Sequence, residues 1–123
     1  MLRRRIMPRK ILIADDDPAM LRVYAGLFSG RDYELTYAES VAAAAALIGK
    51  NHYDLLVTDL MFPDGLGTEL TRLFAERSAG AKSLLVTGSP PEPGALAAYA
   101  VLECLPKPLE PESFMKTVAR ALT

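Results

Sequence analysis

Six side chains in this sequence could act on a charged, oxygen-rich group if the fold brought them together: Asp15, Asp16, Asp17, Asp59, Thr87 and Lys107. Each stands at or just beyond a short apolar run. Ile11-Leu12-Ile13-Ala14 precedes the three aspartates, Leu55-Leu56-Val57-Thr58 precedes Asp59, Leu84-Leu85-Val86 precedes Thr87, and Val101 to Leu105 precedes Lys107. Carboxylates held ~4 Å apart repel by roughly 4 kcal/mol at an effective dielectric near 20. A hard divalent cation removes that repulsion. Oxygen ligands without His or Cys select Mg²⁺, Mn²⁺ or Ca²⁺ over zinc. A lysine and a hydroxyl beside such a cation suit an anionic group such as phosphoryl.

Other residues read as structural. Asp17 precedes Pro18 and reads as a helix N-cap, with proline at the first helical position. Asp64 in Pro63-Asp64-Gly65 reads as turn chemistry. His52 is the single histidine, has no partner base or ligand near it in sequence, and reads as a surface residue. Cys104 is the single cysteine, so no intramolecular disulfide can form and a structural zinc site is excluded.

The elements that must position the reactive residues alternate regularly. Ile11 to Ala14 is continuously apolar and ends in charge, the mark of a strand buried on both faces. Met20, Val23, Tyr24 and Leu27 then give an amphipathic helix ending near Ser29-Gly30. Tyr33 to Tyr37 is a short strand, and Ser40 caps an alanine-rich helix, Val41 to Ile48, stopped by Gly49. Asp54 to Asp59 is the third strand. Leu66, Leu70, Leu73 and Phe74 mark the third helix, and Ser83 to Thr87 the fourth strand. Ala95 to Ala100 can form a short helix and Val101 to Leu105 a fifth strand. Phe114, Met115, Val118 and Leu122 mark the last helix. Five strand–helix units in 123 residues predict an α/β fold with a parallel, doubly wound sheet. Ligands of such sheets bind beyond the carboxyl ends of the strands, where the six candidates fall.

Charge bounds the partners. The net charge is −1, yet residues 1–10 carry five basic side chains and no acidic one; subtracting those leaves residues 11–123 at −6. An acidic body with a short basic leader predicts no direct nucleic-acid partner. No apolar run approaches the ~18 residues of a membrane span, and Pro8-Arg9-Lys10 interrupts any signal-peptide core, so the expectation is a cytoplasmic protein without a membrane partner. The domain division expected is a basic extension over 1–8 and one domain over 9–123.

The segments KILIADDDP, DLLVTDLMFPDG, LLVTG and LPKP, in this order and spacing, resemble the receiver domain of two-component response regulators, across roughly residues 9–122. That resemblance implies a flavodoxin-like (βα)5 fold with strand order 2-1-3-4-5. It implies that Asp59 is the phosphoacceptor and that Thr87 and Lys107 assist. It also implies Mg²⁺ bound by Asp15, Asp16, Asp59 and the backbone carbonyl of Met61, and a cis Lys107–Pro108 bond. The implied partners are a histidine kinase or phosphotransfer protein and a downstream target or output domain, with a homodimer also open. Beyond catalysing its own phosphorylation and dephosphorylation, the chain is expected not to be an enzyme. The alternatives are a receiver-like docking module working without phosphorylation, and a small phosphatase or nuclease; the latter lacks a second acid–base group. One departure stands out. Cys104 occupies the place where most receivers carry a switching aromatic ring, which directs attention to the loop Ser89 to Gly94 as the moving part of the β4-α4-β5 surface.

Overall fold

The computed structural model describes residues 8–89, 91–92 and 94–123. Residues 1–7, which make up most of the basic extension, and Pro90 and Pro93 of the proline-rich loop lie outside the described residues.

Five strands, β1 (Arg9–Ala14), β2 (Tyr33–Ala38), β3 (Leu55–Asp59), β4 (Lys82–Thr87) and β5 (Glu103–Pro106), form one sheet in the order β2-β1-β3-β4-β5. All four pairings are parallel, so every strand starts at one end of the sheet and finishes at the other. The helices α1 (Pro18–Phe28), α2 (Val41–Lys50), α3 (Gly67–Arg77), α4 (Ala95–Ala98) and α5 (Pro111–Ala121) connect or follow them. The expected fold class and strand order are therefore observed.

Alternate residues of a strand point to opposite faces, and the core divides accordingly. Ile11, Ile13, Leu55 and Val57 pack with Tyr24 and Phe28 of α1 and Phe114 and Val118 of α5. Leu12, Ala14 and Leu56 pack with Ala44 and Ile48 of α2 and Leu70 and Phe74 of α3. Both faces of β1 and β3 are thus covered by helices, which explains why these strands read as unbroken apolar runs.

Several boundaries differ from the sequence reading for local reasons. Val23 is 47% exposed; the buried side of α1 runs through Tyr24 to Phe28, which holds T-shaped contacts with Tyr33 and Phe114. Helix α2 continues through Gly49 to Lys50, with Asn51 as its C-cap. Helix α4 is only four residues long, since Tyr99 caps it and Ala100 takes a φ of 60°. Strand β5 starts at Glu103 rather than Val101 and includes Pro106. A proline is tolerated there because β5 is an edge strand. The segment read as a simple turn is a small antiparallel hairpin, Met61–Phe62 against Gly65–Leu66, too short to leave a period-two signature.

Candidate active site at the carboxyl ends of the strands

Strand register delivers the reactive residues. Ala14 pairs with Thr58, so Asp15 and Asp59 leave adjacent strands side by side. Asp59 pairs with Val86, immediately before Thr87, and Thr87 pairs with Pro106, immediately before Lys107. The Lys107 N–H donates to the Thr87 carbonyl at 3.0 Å, and the Lys107–Pro108 bond is cis. The lysine turns back over the sheet, where its Nζ donates to Asp15 Oδ2 at 3.1 Å and to Asp59 Oδ2 at 3.2 Å.

The second oxygen of each carboxylate is held by the backbone. Asp15 Oδ1 accepts the Asp17 N–H at 2.9 Å and Asp59 Oδ1 accepts the Leu60 N–H at 2.7 Å. Asp16 is exposed, and one oxygen each of Asp15, Asp16 and Asp59 lie within 4.8 Å of one another. Asp15 is fully buried, and that burial pushes its carboxyl above the ordinary carboxylate value, with the Asp59 charge adding to the shift; the Asp17 N–H and Lys107 oppose it. For Lys107 burial acts to lower the ammonium, but Asp15 and Asp59 outweigh it and hold the group above its usual value. The lysine is charged, and it bridges two acids that would otherwise repel.

A family model for the response regulator receiver domain matches residues 11–119. The chain belongs to that family. Among curated relatives, this receiver domain is 26% identical over 117 residues to the transcriptional regulatory protein GlrR of Escherichia coli K12, a match covering 94% of the chain but 26% of GlrR. It is 30% identical over 80 residues to the response regulator receiver protein CpdR of Brucella abortus, covering 65% of the chain and 67% of CpdR. The chain thus spans about a quarter of the length of the first of these relatives. Among solved structures, a CheY-like receiver domain protein from Methanospirillum hungatei superimposes with a TM-score of 0.87 at 26% identity, covering 94% of each chain. The response regulator TrrA of Thermotoga maritima, solved in complex with Mg²⁺ and BeF, superimposes with a TM-score of 0.83 at 24% identity over 93% of this chain and 99% of that one.

Within this receiver domain Thr87 is 2% exposed, and its hydroxyl accepts the Ser89 N–H at 3.0 Å rather than meeting Asp59. Met61 is 59% exposed and opens the hairpin two residues after Asp59. Asp17 caps α1 by accepting the Ala19 N–H at 2.9 Å. Cys104 is half-buried opposite Leu85, and burial pushes its thiol up.

The structure adds residues that the sequence reading passed over. Asp64 does more than turn the chain: its two oxygens accept the Val41 and Ala42 N–H groups, each at 3.0 Å. It therefore caps α2 from the loop after β3, and these donors hold its carboxyl below the usual range. Gly67 packs so closely that an added Cβ would overlap the Asp59 carbonyl, while its N–H donates to the Leu60 carbonyl at 2.7 Å. Only glycine fits beside the backbone of Asp59. The buried Thr71 hydroxyl lies 2.6 Å from the Tyr99 carbonyl, tying α3 to the segment after α4. His52 does have a partner, contrary to the sequence reading. Its Nε2 lies 3.2 Å from Asp54 Oδ1, a pairing that the spacing of two residues could have suggested.

Proposed function

We propose that this chain is the phosphoacceptor switch of a cytoplasmic two-component pathway, with residues 9–123 as the switching unit and Asp59 as the acceptor. The observation that carries the reading is the Lys107 bridge between Asp15 and Asp59, with Asp16 completing a cluster of oxygen donors. In the reaction an oxygen of Asp59 attacks phosphorus. A P–O bond forms, the bond from phosphorus to the donor's imidazole nitrogen breaks, and that nitrogen takes up a proton. The donor would be the phosphohistidine of a kinase or phosphotransfer protein. Lys107 would neutralise charge on the moving phosphoryl oxygens, an electrostatic contribution typical of phosphoryl transfer.

The donor set fits Mg²⁺. Three carboxylate oxygens within 4.8 Å approach the span of about 4.2 Å across an octahedral Mg²⁺, and the cluster contains neither His nor Cys. Asp16 would bind directly, Asp15 mainly through water, and Asp59 and the Met61 carbonyl would complete the protein's share. When bound, the ion supplies charge neutralisation for phosphoryl transfer.

Output would run through the segment after β4. Turning the Thr87 hydroxyl toward a phosphoryl oxygen would release the Ser89 N–H that it now accepts. The half-buried thiol of Cys104 lacks the area of a ring that could fill space vacated by Thr87. The signal would therefore pass to a target protein or output domain mainly by rearrangement of that loop.

The test is mass spectrometry after treatment with acetyl phosphate. One phosphoryl adduct is expected with Mg²⁺ and none after chelation, and Asp59→Asn should abolish it. An unmodified mass with the metal shown to be bound would overturn the reading in favour of a docking module.

A further inference from the structure

Helix α4 has only four residues, far fewer than a helix needs to persist on its own hydrogen bonds, so its place depends on what grips its ends. Its C-terminal end closes in a Schellman arrangement. The Val101 N–H donates to the Leu96 carbonyl at 3.1 Å and the Ala100 N–H to the Ala97 carbonyl at 3.3 Å. That closure needs a left-handed residue after the Tyr99 cap, a place where glycine is usual. Here it is Ala100, with a φ of 60°, whose Cβ crowds the following carbonyl. The local sequence therefore opposes the ending that the fold imposes.

What offsets that opposition comes from α3. The wholly buried Thr71 hydroxyl lies 2.6 Å from the Tyr99 carbonyl and 2.9 Å from the Thr68 carbonyl. A hydroxyl has one proton to donate, so Thr71 keeps a local acceptor if α4 moves away. Thr71 is also joined to the Asp59 site. Asp59 Oδ1 accepts the Leu60 N–H at 2.7 Å, and the Leu60 carbonyl accepts the Gly67 N–H at 2.7 Å. Gly67 abuts the Asp59 carbonyl with no room for a Cβ. It stands one turn before Thr71 on the same side of α3.

We infer that Thr71 and Ala100 form a two-state latch on α4, which the Asp59 site biases through Leu60 and Gly67. The Thr71 hydroxyl holds the end of α4 against α3, and the left-handed alanine favours release. The latch rests on the reading of Asp59 as the phosphoacceptor. Conversion of its carboxylate to an acyl phosphate removes the charge that strengthens the bond to the Leu60 N–H. The start of α3 then shifts, the contact between Thr71 and Tyr99 opens, and Ala100 returns to a negative φ. Coupling of this kind is reciprocal: a change in the latch alters affinity at Asp59, although neither residue touches that site.

The experiment titrates the full chain with beryllofluoride, a phosphoryl mimic, at saturating Mg²⁺, and follows the amide resonances by NMR. Thr71→Val keeps the side-chain shape and removes the hydroxyl. It should lower the apparent Kd about fivefold, the equivalent of one net hydrogen bond. Ala100→Gly removes the cost of the left-handed turn and should raise the Kd about fivefold. The double variant should return close to the parent. Without beryllofluoride, hydrogen exchange at Tyr99, Ala100 and Val101 should be faster in Thr71→Val and slower in Ala100→Gly. A purely structural contact would move Tm and leave the Kd unchanged, so equal Kd values, or shifts in the same direction, would overturn the latch. Should Thr71→Val fail to fold, Ala100→Gly alone carries the same comparison, since glycine is favoured at that position. A parent that binds no beryllofluoride would overturn the acceptor reading, and the latch with it.

Discussion

The two ends of the sheet are built from the same kinds of loop, yet they solve opposite electrostatic problems. At the strand carboxyl ends, Asp15 and Asp59 converge on one half-buried lysine, with a carboxylate oxygen of Asp16 within 4.8 Å of theirs. At the strand starts, basic residues are dispersed and exposed or half-buried, and their contacts are partly with the backbone: Arg77 donates to the Gly49 carbonyl at 2.9 Å, and Arg120 to Glu103 at 3.2 Å. Exposed pairs of this kind contribute little to stability, about 0–1 kcal/mol. The first end concentrates like charge, which costs stability and creates a demand for a cation. The second spreads charge, which costs little. The phosphoryl chemistry proposed above therefore belongs to the crowded end.

Two glycines give the strongest way to test this contrast. At the crowded end, Gly67→Ala would drive a Cβ into the Asp59 carbonyl, and backbone-against-backbone overlap should cost about 3 kcal/mol and reduce labelling of Asp59. At the dispersed end, Gly80 has nothing within 4 Å of an added Cβ, but its φ is +78°; Gly80→Ala should cost about 1 kcal/mol through the backbone alone. Denaturant midpoints at constant m measure both. Equal losses would show that the two ends are packed alike and break the comparison.

Metal addition is the next largest effect. Mg²⁺ at ten times its Kd should stabilise the protein by about 1.4 kcal/mol, read as a rise in Tm that chelation reverses. Asp16→Ala should remove most of that gain, and Lys50→Ala, at the other end, should leave it intact. A gain that survives Asp16→Ala would move the cation away from the carboxylate cluster.

The smallest effect concerns Asp64, which sharpens the comparison because it is an acid at the crowded end with a purely structural task. Two N–H donors lower its carboxyl in the folded state. Its stabilisation is thus complete above about pH 4, the ordinary value, and is lost as pH falls through the lowered one. Asp64→Ala should melt below the parent at pH 7, with the gap closing as the pH falls below that range. A gap that persists unchanged in acid would mean that capping of α2 by this carboxylate is not its source.

How much of this could be read from the chain depends on the range of the interaction. The apolar runs ending at Ala14, Thr58 and Val86 declared buried parallel strands because both faces of each are covered, and the acids and hydroxyl following them declared a site at one end. The Asp17 cap was legible because its donor, the Ala19 N–H, is two residues away. Asp64 was legible only as a turn, because its donors lie 22 and 23 residues back along the chain. The same limit hid Gly67, whose constraint is a neighbouring carbonyl, and Thr71, whose partner Tyr99 is 28 residues distant.

By itself, then, the sequence determined which elements form and which residue types meet at the strand ends, since periodicity and strand polarity are local properties that a parallel topology converts into position. Only the tertiary structure decided that one lysine bridges Asp15, 92 residues away, and Asp59, 48 residues away, and that the Thr87 hydroxyl holds the Ser89 N–H instead of meeting Asp59. Charge sums and short-range caps follow from order along the chain, whereas Coulomb and packing energies depend on distance in space, and parallel strands bring together residues that the sequence keeps far apart.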